Sequence, residues 1–195
     1  VTTTTLSFEP PCLLGGEEHH GELRIEVRYP YSGEVIGSVP RLSSAALDYT
    51  LELAARAKVG LDRYGRSALL EQVAAAIEQE RQELARLICW ETGLCLTDTR
   101  HEVARAIEVF RFAARAALRD DGELFACDVS PNGRARRAFT SREPMRLVAA
   151  ITPFNHPLSQ VAHRLAPAIA AAAPIVLKPS EKAPLSALWL ARAVL

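Results

Sequence analysis

Two short stretches place polar side chains where an apolar run ends. "ITPFNHPL", residues 151–158, sets Asn155 and His156 between an apolar run and a proline. An Asn amide can donate an N–H to a developing oxyanion. It can also cap a helix that begins at Pro157, and the spacing fits both readings. "PIVLKPSE", residues 174–181, puts Lys178 directly after three apolar β-formers and follows it with Ser180 and Glu181. An ammonium, a hydroxyl and a carboxylate suit the hydroxyls of a sugar, while the same residues make an ordinary helix start.

The elements that must position these groups form a strand–helix–strand pattern. "LVAAI", a helix-compatible stretch from Leu158 to about Ala172 that Pro167 should kink, and "PIVLK" read as the βαβ unit of a parallel sheet. Both strand runs are apolar throughout, as expected of parallel strands buried on both faces. The class is α/β. In open sheets of this kind ligands gather beyond the carboxyl ends of the strands, where both polar stretches fall.

Upstream, residues 1–21 are Thr-rich and then carry Pro-Pro, Gly-Gly and His-His, a composition that predicts a loose arm without regular structure. Leu23, Ile25 and Val27 alternate with charged residues, break at Pro30 to Gly33 and resume with Val35, Ile36 and Val39, which predicts two strands and a turn. A helix capped by Ser44 follows, with Leu47, Leu51 and Ala54 in phase. A second continues through Leu70, Val73, Ile77, Leu84 and Ile88 as one helix ending at Gly93. A third spans Asp98 to Arg119, with Val103, Ile107, Phe110, Ala114 and Ala117 on its apolar face and Glu108, Arg111, Arg115 and Arg119 on a solvated one. Turns at Asp121-Gly122 and Pro131-Asn132-Gly133 then bound short strand-like pieces, a β-hairpin arm. "APLSALWLARAVL" begins a further helix and stops at Leu195 without a cap or breaker, so the chain reads as part of a longer one.

Composition limits the partners. The 195 residues are 49% hydrophobic and carry 23 basic and 23 acidic side chains, so no global field favours nucleic acid or an anionic membrane. The N-terminus has no basic region followed by an apolar core and no run approaches spanning length, which reads as a cytosolic chain. Cys12, Cys89, Cys95 and Cys127 form no CxxC pair and lie near no His cluster, so reduced thiols and no metal site are expected.

From "VRYPYSGEVIGSVP" through "ARLICWETG" to "ITPFNHPL" and "APAIAAAAPIVLKPSEKAPLSAL", the chain resembles the aldehyde dehydrogenase superfamily over nearly its whole length. The resemblance implies the N-terminal part of that fold: a Rossmann-like parallel sheet with flanking helices and a β-hairpin oligomerisation arm. It implies an N-terminal arm at 1–21, an incomplete cofactor-binding domain at 22–123 and 143–195, and the oligomerisation arm at 124–142. Asn155 would contribute to the oxyanion hole, and Lys178, Ser180 and Glu181 would meet the adenosine ribose of a dinucleotide. The segment Ile151, Thr152, Pro153, Phe154 and Asn155 would line the nicotinamide side. The sequence departs from the common pattern at Phe154, where many members have Trp, and at Ala173, where many have Gly. The second change could alter the turn before the second strand. A homodimer or homotetramer is implied.

"EVARAIEVF", "RDDGELFACDVSPNGRARRAFTSREP" and "AITPFNHPLSQVAHRLAPAIA" carry a closer resemblance, to the branch of the superfamily that oxidises phosphonoacetaldehyde to phosphonoacetate. On that resemblance Arg105 and His156 meet the phosphonate, a role that suits the forked donors of Arg. Read from the residues alone, Arg105 is one more surface Arg and His156 a structural His. Glu181 can accept from a ribose 2′-hydroxyl and would repel a 2′-phosphate, which predicts NAD, with NADP possible. The nucleophilic Cys and the water-activating Glu of the superfamily match nothing here and would lie downstream. Two alternatives stand beside this reading: a dehydrogenase for a semialdehyde or lactaldehyde-type substrate, or a catalytically silent binding or assembly module.

Overall fold

The computed structural model describes residues 8–119 and 122–195. Two antiparallel hairpins lead. Strands β1 (Cys12–Leu14) and β2 (Glu17–His19) pair across Gly15 and Gly16, both at positive φ (63° and 92°). This corrects the expectation of a structureless stretch over 1–21 for its second half: two adjacent glycines supply the left-handed turn that a two-residue hairpin requires. Residues 1–7 of that stretch lie outside the described residues. Strands β3 (Leu23–Arg28) and β4 (Val35–Arg41) form the expected second hairpin and bury Val27 and Val39.

Helix α1 (Ser44–Arg56) is capped by Ser43, one residue before the predicted cap, whose hydroxyl accepts from the amide of Ala46. The long helix expected next is two helices, α2 (Arg63–Gln79) and α3 (Arg81–Thr92), meeting at Glu80. The apolar pattern hid this break because Ile77 and Leu84 are seven residues apart, two full turns, and stay in phase across it. Gly93 ends α3 in the left-handed region, as its position predicted. Helix α4 (Leu96–Ala117) buries Val103, Ile107, Phe110, Ala114 and Ala117, while Arg115 faces solvent. The arm contains a minimal pairing of β5 (Leu124–Phe125) with β6 (Ala138–Phe139) and a 3-10 turn at Pro131–Gly133. The Asp121 half of its predicted first turn lies outside the described residues.

The βαβ unit follows as predicted: β7 (Val148–Ile151), α5 (Pro157–Ala170) and β8 (Ile175–Lys178), the two strands parallel. A final helix, α6 (Leu185–Ala193), closes the described chain. Burial of the strands on both faces is not seen. Ala150 is buried and Ile175 and Leu177 pack on the core, but Ala149 and Ile151 are exposed, Ile151 by 76%. Alternate residues point to opposite faces, so Ala150 faces the core while Ala149 and Ile151 face away from it. The main core lies between α2, α3, α4, α5 and α6, with Phe110, Leu70, Ile77, Leu84 and Leu158 among its fully buried side chains. Truncating a residue such as Phe110 there would cost about 3–5 kcal/mol.

Helix α5 is held at both ends by other helices. Arg66 of α2 donates from Nε to the carbonyl of Ala170 at 3.0 Å. At the other end the carboxylate of Glu102, on α4, accepts the free amides of Leu158 and Ser159. Beyond α5, Ala172 takes φ 57°, and the bonds from Ala173 N to Ala168 O and from Ala172 N to Ile169 O make a Schellman turn. The strained residue is therefore Ala172, one before the position that the sequence singled out.

Candidate active site

Parallel pairing puts the two polar stretches side by side. Ile151 is in register with Lys178, and the amide of Thr152 donates to the Lys178 carbonyl at 3.2 Å. The loops that leave the strands meet again further out, where Lys182 Nζ stands 4.8 Å from the centre of the Phe154 ring. Such a cation–π contact contributes about 0.5–1 kcal/mol at an exposed site. Lys178 Nζ donates to Pro179 O at 3.2 Å and to Glu181 Oε2 at 3.3 Å, with both side chains open to solvent. A backbone hydrogen bond and the neighbouring Lys178 hold the Glu181 carboxyl below its ordinary range. Ser180 is buried, and its hydroxyl accepts the amide of Lys182 at 3.2 Å.

Asn155 is exposed and its side chain has no hydrogen-bond partner among the described residues. It does not cap α5. His156 occupies the cap position without a side-chain bond to the helix amides, and the first amides of the helix go elsewhere. Glu102 Oε1 accepts from Leu158 N at 2.9 Å and from Ser159 N at 3.1 Å, while Oε2 lies 3.4 Å from Nδ1 of His156. The Glu102 side chain is 1% exposed and that of His156 49%. Burial raises the Glu102 carboxyl above its ordinary range, against the opposing pull of Ser159, His156 and Leu158.

Arg105 is exposed one turn beyond Glu102 on α4. Its charge acts on His163 of α5, whose imidazole is held below its usual range by burial first, then by Arg105 and Arg164. The fold thus gathers Asn155 and His156 on one loop, Lys178, Ser180 and Glu181 on the adjoining one, and Arg105 on the helix that anchors the first. No thiol is placed among them: Cys12 lies in β1, Cys89 in α3 and Cys127 in the arm. Cys95, before α4, is seven residues and so about 10 Å along the axis from Glu102. Among the described residues no cluster could hold a metal ion, and no helix is long and apolar enough to cross a membrane.

Sequence reasoning missed Glu102 and Lys182. Glu102 left a signal, an acidic residue in phase with buried Ala106 and Phe110 on the apolar stripe of α4. Glu91 repeats it on α3, in phase with Leu84 and Ile88. Lys182 left none, since nothing in the sequence says that it reaches Phe154.

The sequence matches the aldehyde dehydrogenase family over residues 17–195. The chain belongs to that family. Aspartate-semialdehyde dehydrogenase 1 of Pseudomonas canavaninivorans is 41% identical over 172 residues, which are 87% of this chain and 37% of that protein. Among solved structures, aldehyde dehydrogenase 21 from Physcomitrella patens, in complex with its reaction product succinate, superposes with a TM-score of 0.93 at 31% identity, covering 98% of this chain and 40% of that one. NADP-dependent glyceraldehyde-3-phosphate dehydrogenase from Bacillus halodurans C-125, complexed with NADP, does so with a TM-score of 0.90 at 30% identity, covering 96% and 40%. This aldehyde dehydrogenase chain therefore spans about two fifths of the length of these relatives. Its fold is the N-terminal portion of theirs.

Proposed function

We propose that the chain is the N-terminal part of an NAD(P)-dependent enzyme that oxidises a small anionic aldehyde, phosphonoacetaldehyde, to its acid. The observation that carries this reading is the junction of the two strand-end loops, one carrying the unengaged amide of Asn155 next to Phe154 and the other the exposed Lys178 and Glu181. That donor set fits a dinucleotide: a carboxylate and an ammonium for ribose hydroxyls, and backbone from Ile151 to Phe154 for the nicotinamide side. The bound dinucleotide supplies the hydride acceptor. Asn155 donates its amide N–H to the oxygen that gains charge as a thiolate, contributed by a Cys downstream, adds to the carbonyl.

Arg105 and His156 serve the far end of the substrate. A two-carbon aldehyde keeps carbonyl and phosphonate close together, so groups near one lie near the other. Anionic substrates or products also recur in the names of the relatives: a semialdehyde of aspartate, succinate and a sugar phosphate. The second reading, a semialdehyde dehydrogenase, is favoured by the 41% identity to the aspartate-semialdehyde enzyme. Turnover by the natural full-length protein of phosphonoacetaldehyde against succinate and aspartate semialdehydes decides between them, and a higher kcat/KM for either semialdehyde rejects the phosphonate reading. NAD is the preferred cofactor because Glu181 repels a 2′-phosphate, and a kcat/KM for NADP at or above that for NAD would overturn the preference.

The segment 124–142 serves assembly. Leu124, Val129 and Phe139 are 78%, 85% and 77% exposed, and its two-residue strands bury almost nothing within the chain. Unpaired apolar edges of this kind need a partner. Removing the arm is expected to lower the oligomeric state in sedimentation, and unchanged assembly would exclude the role.

A further inference from the structure

Glu102 is where the helical scaffold grips the exposed loop. Its side chain is sealed from solvent, yet both oxygens are engaged: Oε1 by the amides of Leu158 and Ser159, Oε2 by the His156 ring. Burial favours the neutral carboxyl, but two amide donors on one oxygen favour the ionised carboxylate, and once ionised it only accepts, so the ring nitrogen facing it then carries a proton. The amides also fix the carboxylate itself. The ring thereby inherits its orientation from the packing of α4 on α5, with half of its surface left open.

We propose that Glu102 is a positioning residue that holds His156 as its Nδ1–H tautomer and leaves Nε2 as the nitrogen a ligand meets. A neutral ring held this way offers a lone pair outward, and only the protonated ring offers an N–H to an anion. Which aldehydes the loop admits then depends on a buried carboxylate that never touches them. Its use in substrate selection rests on the proposal that His156 meets an anionic headgroup, but the tautomer itself does not.

Imidazole nitrogen-15 correlation spectra of the natural full-length protein, recorded above the titration of the ring, report the tautomer without any substrate, with His156 identified by its loss in His156→Ala. The Nδ1–H form is expected in at least about tenfold excess, as a hydrogen bond to a charged acceptor would give. In Glu102→Gln the amide carbonyl can still cap Leu158 and Ser159 while the NH2 donates to the ring, so the Nε2–H form is expected to take over with the melting temperature close to that of the natural protein. In Glu102→Ala the two forms are expected to average. A natural protein showing the Nε2–H or averaged pattern, or one pattern shared with Glu102→Gln, overturns the inference. If the tautomers behave as stated but His156→Ala leaves discrimination between phosphonoacetaldehyde and propanal unchanged, the inference stands and the headgroup reading of His156 fails.

Discussion

Glu91 Oε2 accepts a 2.7 Å hydrogen bond from the amide of Leu185, joining α3 to the start of α6 across ninety-four residues. The other oxygen accepts from Ser186 N at 3.2 Å, and the residue is 2% exposed. Burial pushes its carboxyl up to about 7, against hydrogen bonds that pull the other way. A folded-state value above the unfolded one means that the folded protein binds the proton more tightly. Stability is therefore expected to be greatest below the unfolded value of 4.5 and to fall as pH rises through about 7, by on the order of 3 kcal/mol. Denaturant midpoints at several pH values would show this slope, and Glu91→Gln should flatten it. A slope unchanged in that variant would assign it to other groups.

Asn155→Ala is expected to lower kcat of the full-length enzyme by on the order of a hundredfold or more, the typical effect of losing one oxyanion donor. Because the α5 amides are satisfied by Glu102, the melting temperature should hardly move. A lowered melting temperature with intact turnover would return Asn155 to a structural role.

Arg105→Ala is expected to reduce kcat/KM for phosphonoacetaldehyde by about ten- to a hundredfold, corresponding to roughly 1.5–3 kcal/mol for a charge-assisted contact. Propanal should be oxidised nearly as before. Equal losses on both aldehydes would mean that Arg105 acts on the fold, through its charge near His163.

Ala172→Gly is expected to stabilise the protein by about 0.5–1 kcal/mol, since a left-handed Ala at φ 57° bears a steric cost that Gly lacks. The gain is partly offset by the greater freedom of Gly when unfolded. Thermal or denaturant unfolding would read it, and a destabilised variant would place the constraint in packing around Ala172.

Local periodicity was enough to find the β3–β4 hairpin, α4 and the βαβ unit, because each depends on which face of its own segment is apolar. It could not show the turn at Glu80, where two helices change direction without losing phase. The candidate site was legible in part. Asn155 and Lys178 stand at strand ends that sequence can locate, but whether Asn155 caps α5 turned on Glu102, fifty-six residues before Leu158. Hydrogen bonds of that reach leave only an indirect mark, an acidic residue on a stripe that should be apolar. The exposure of Ala149 and Ile151 on β7 was equally hidden, since an apolar strand reads the same whether one face is covered or two.

The capping of α6 by Glu91 also gives the fold an order in time. During synthesis α3 emerges long before α6, so its carboxylate meets water first and is ionised at neutral pH. Docking α6 brings that group into the interior, where it holds a proton up to about pH 7. Docking α6 onto α3 is thus a proton-uptake step made across a long loop closure. The rate at which α6 settles on α3 is expected to respond to the acidity of the surroundings, apart from any chemistry at the strand ends.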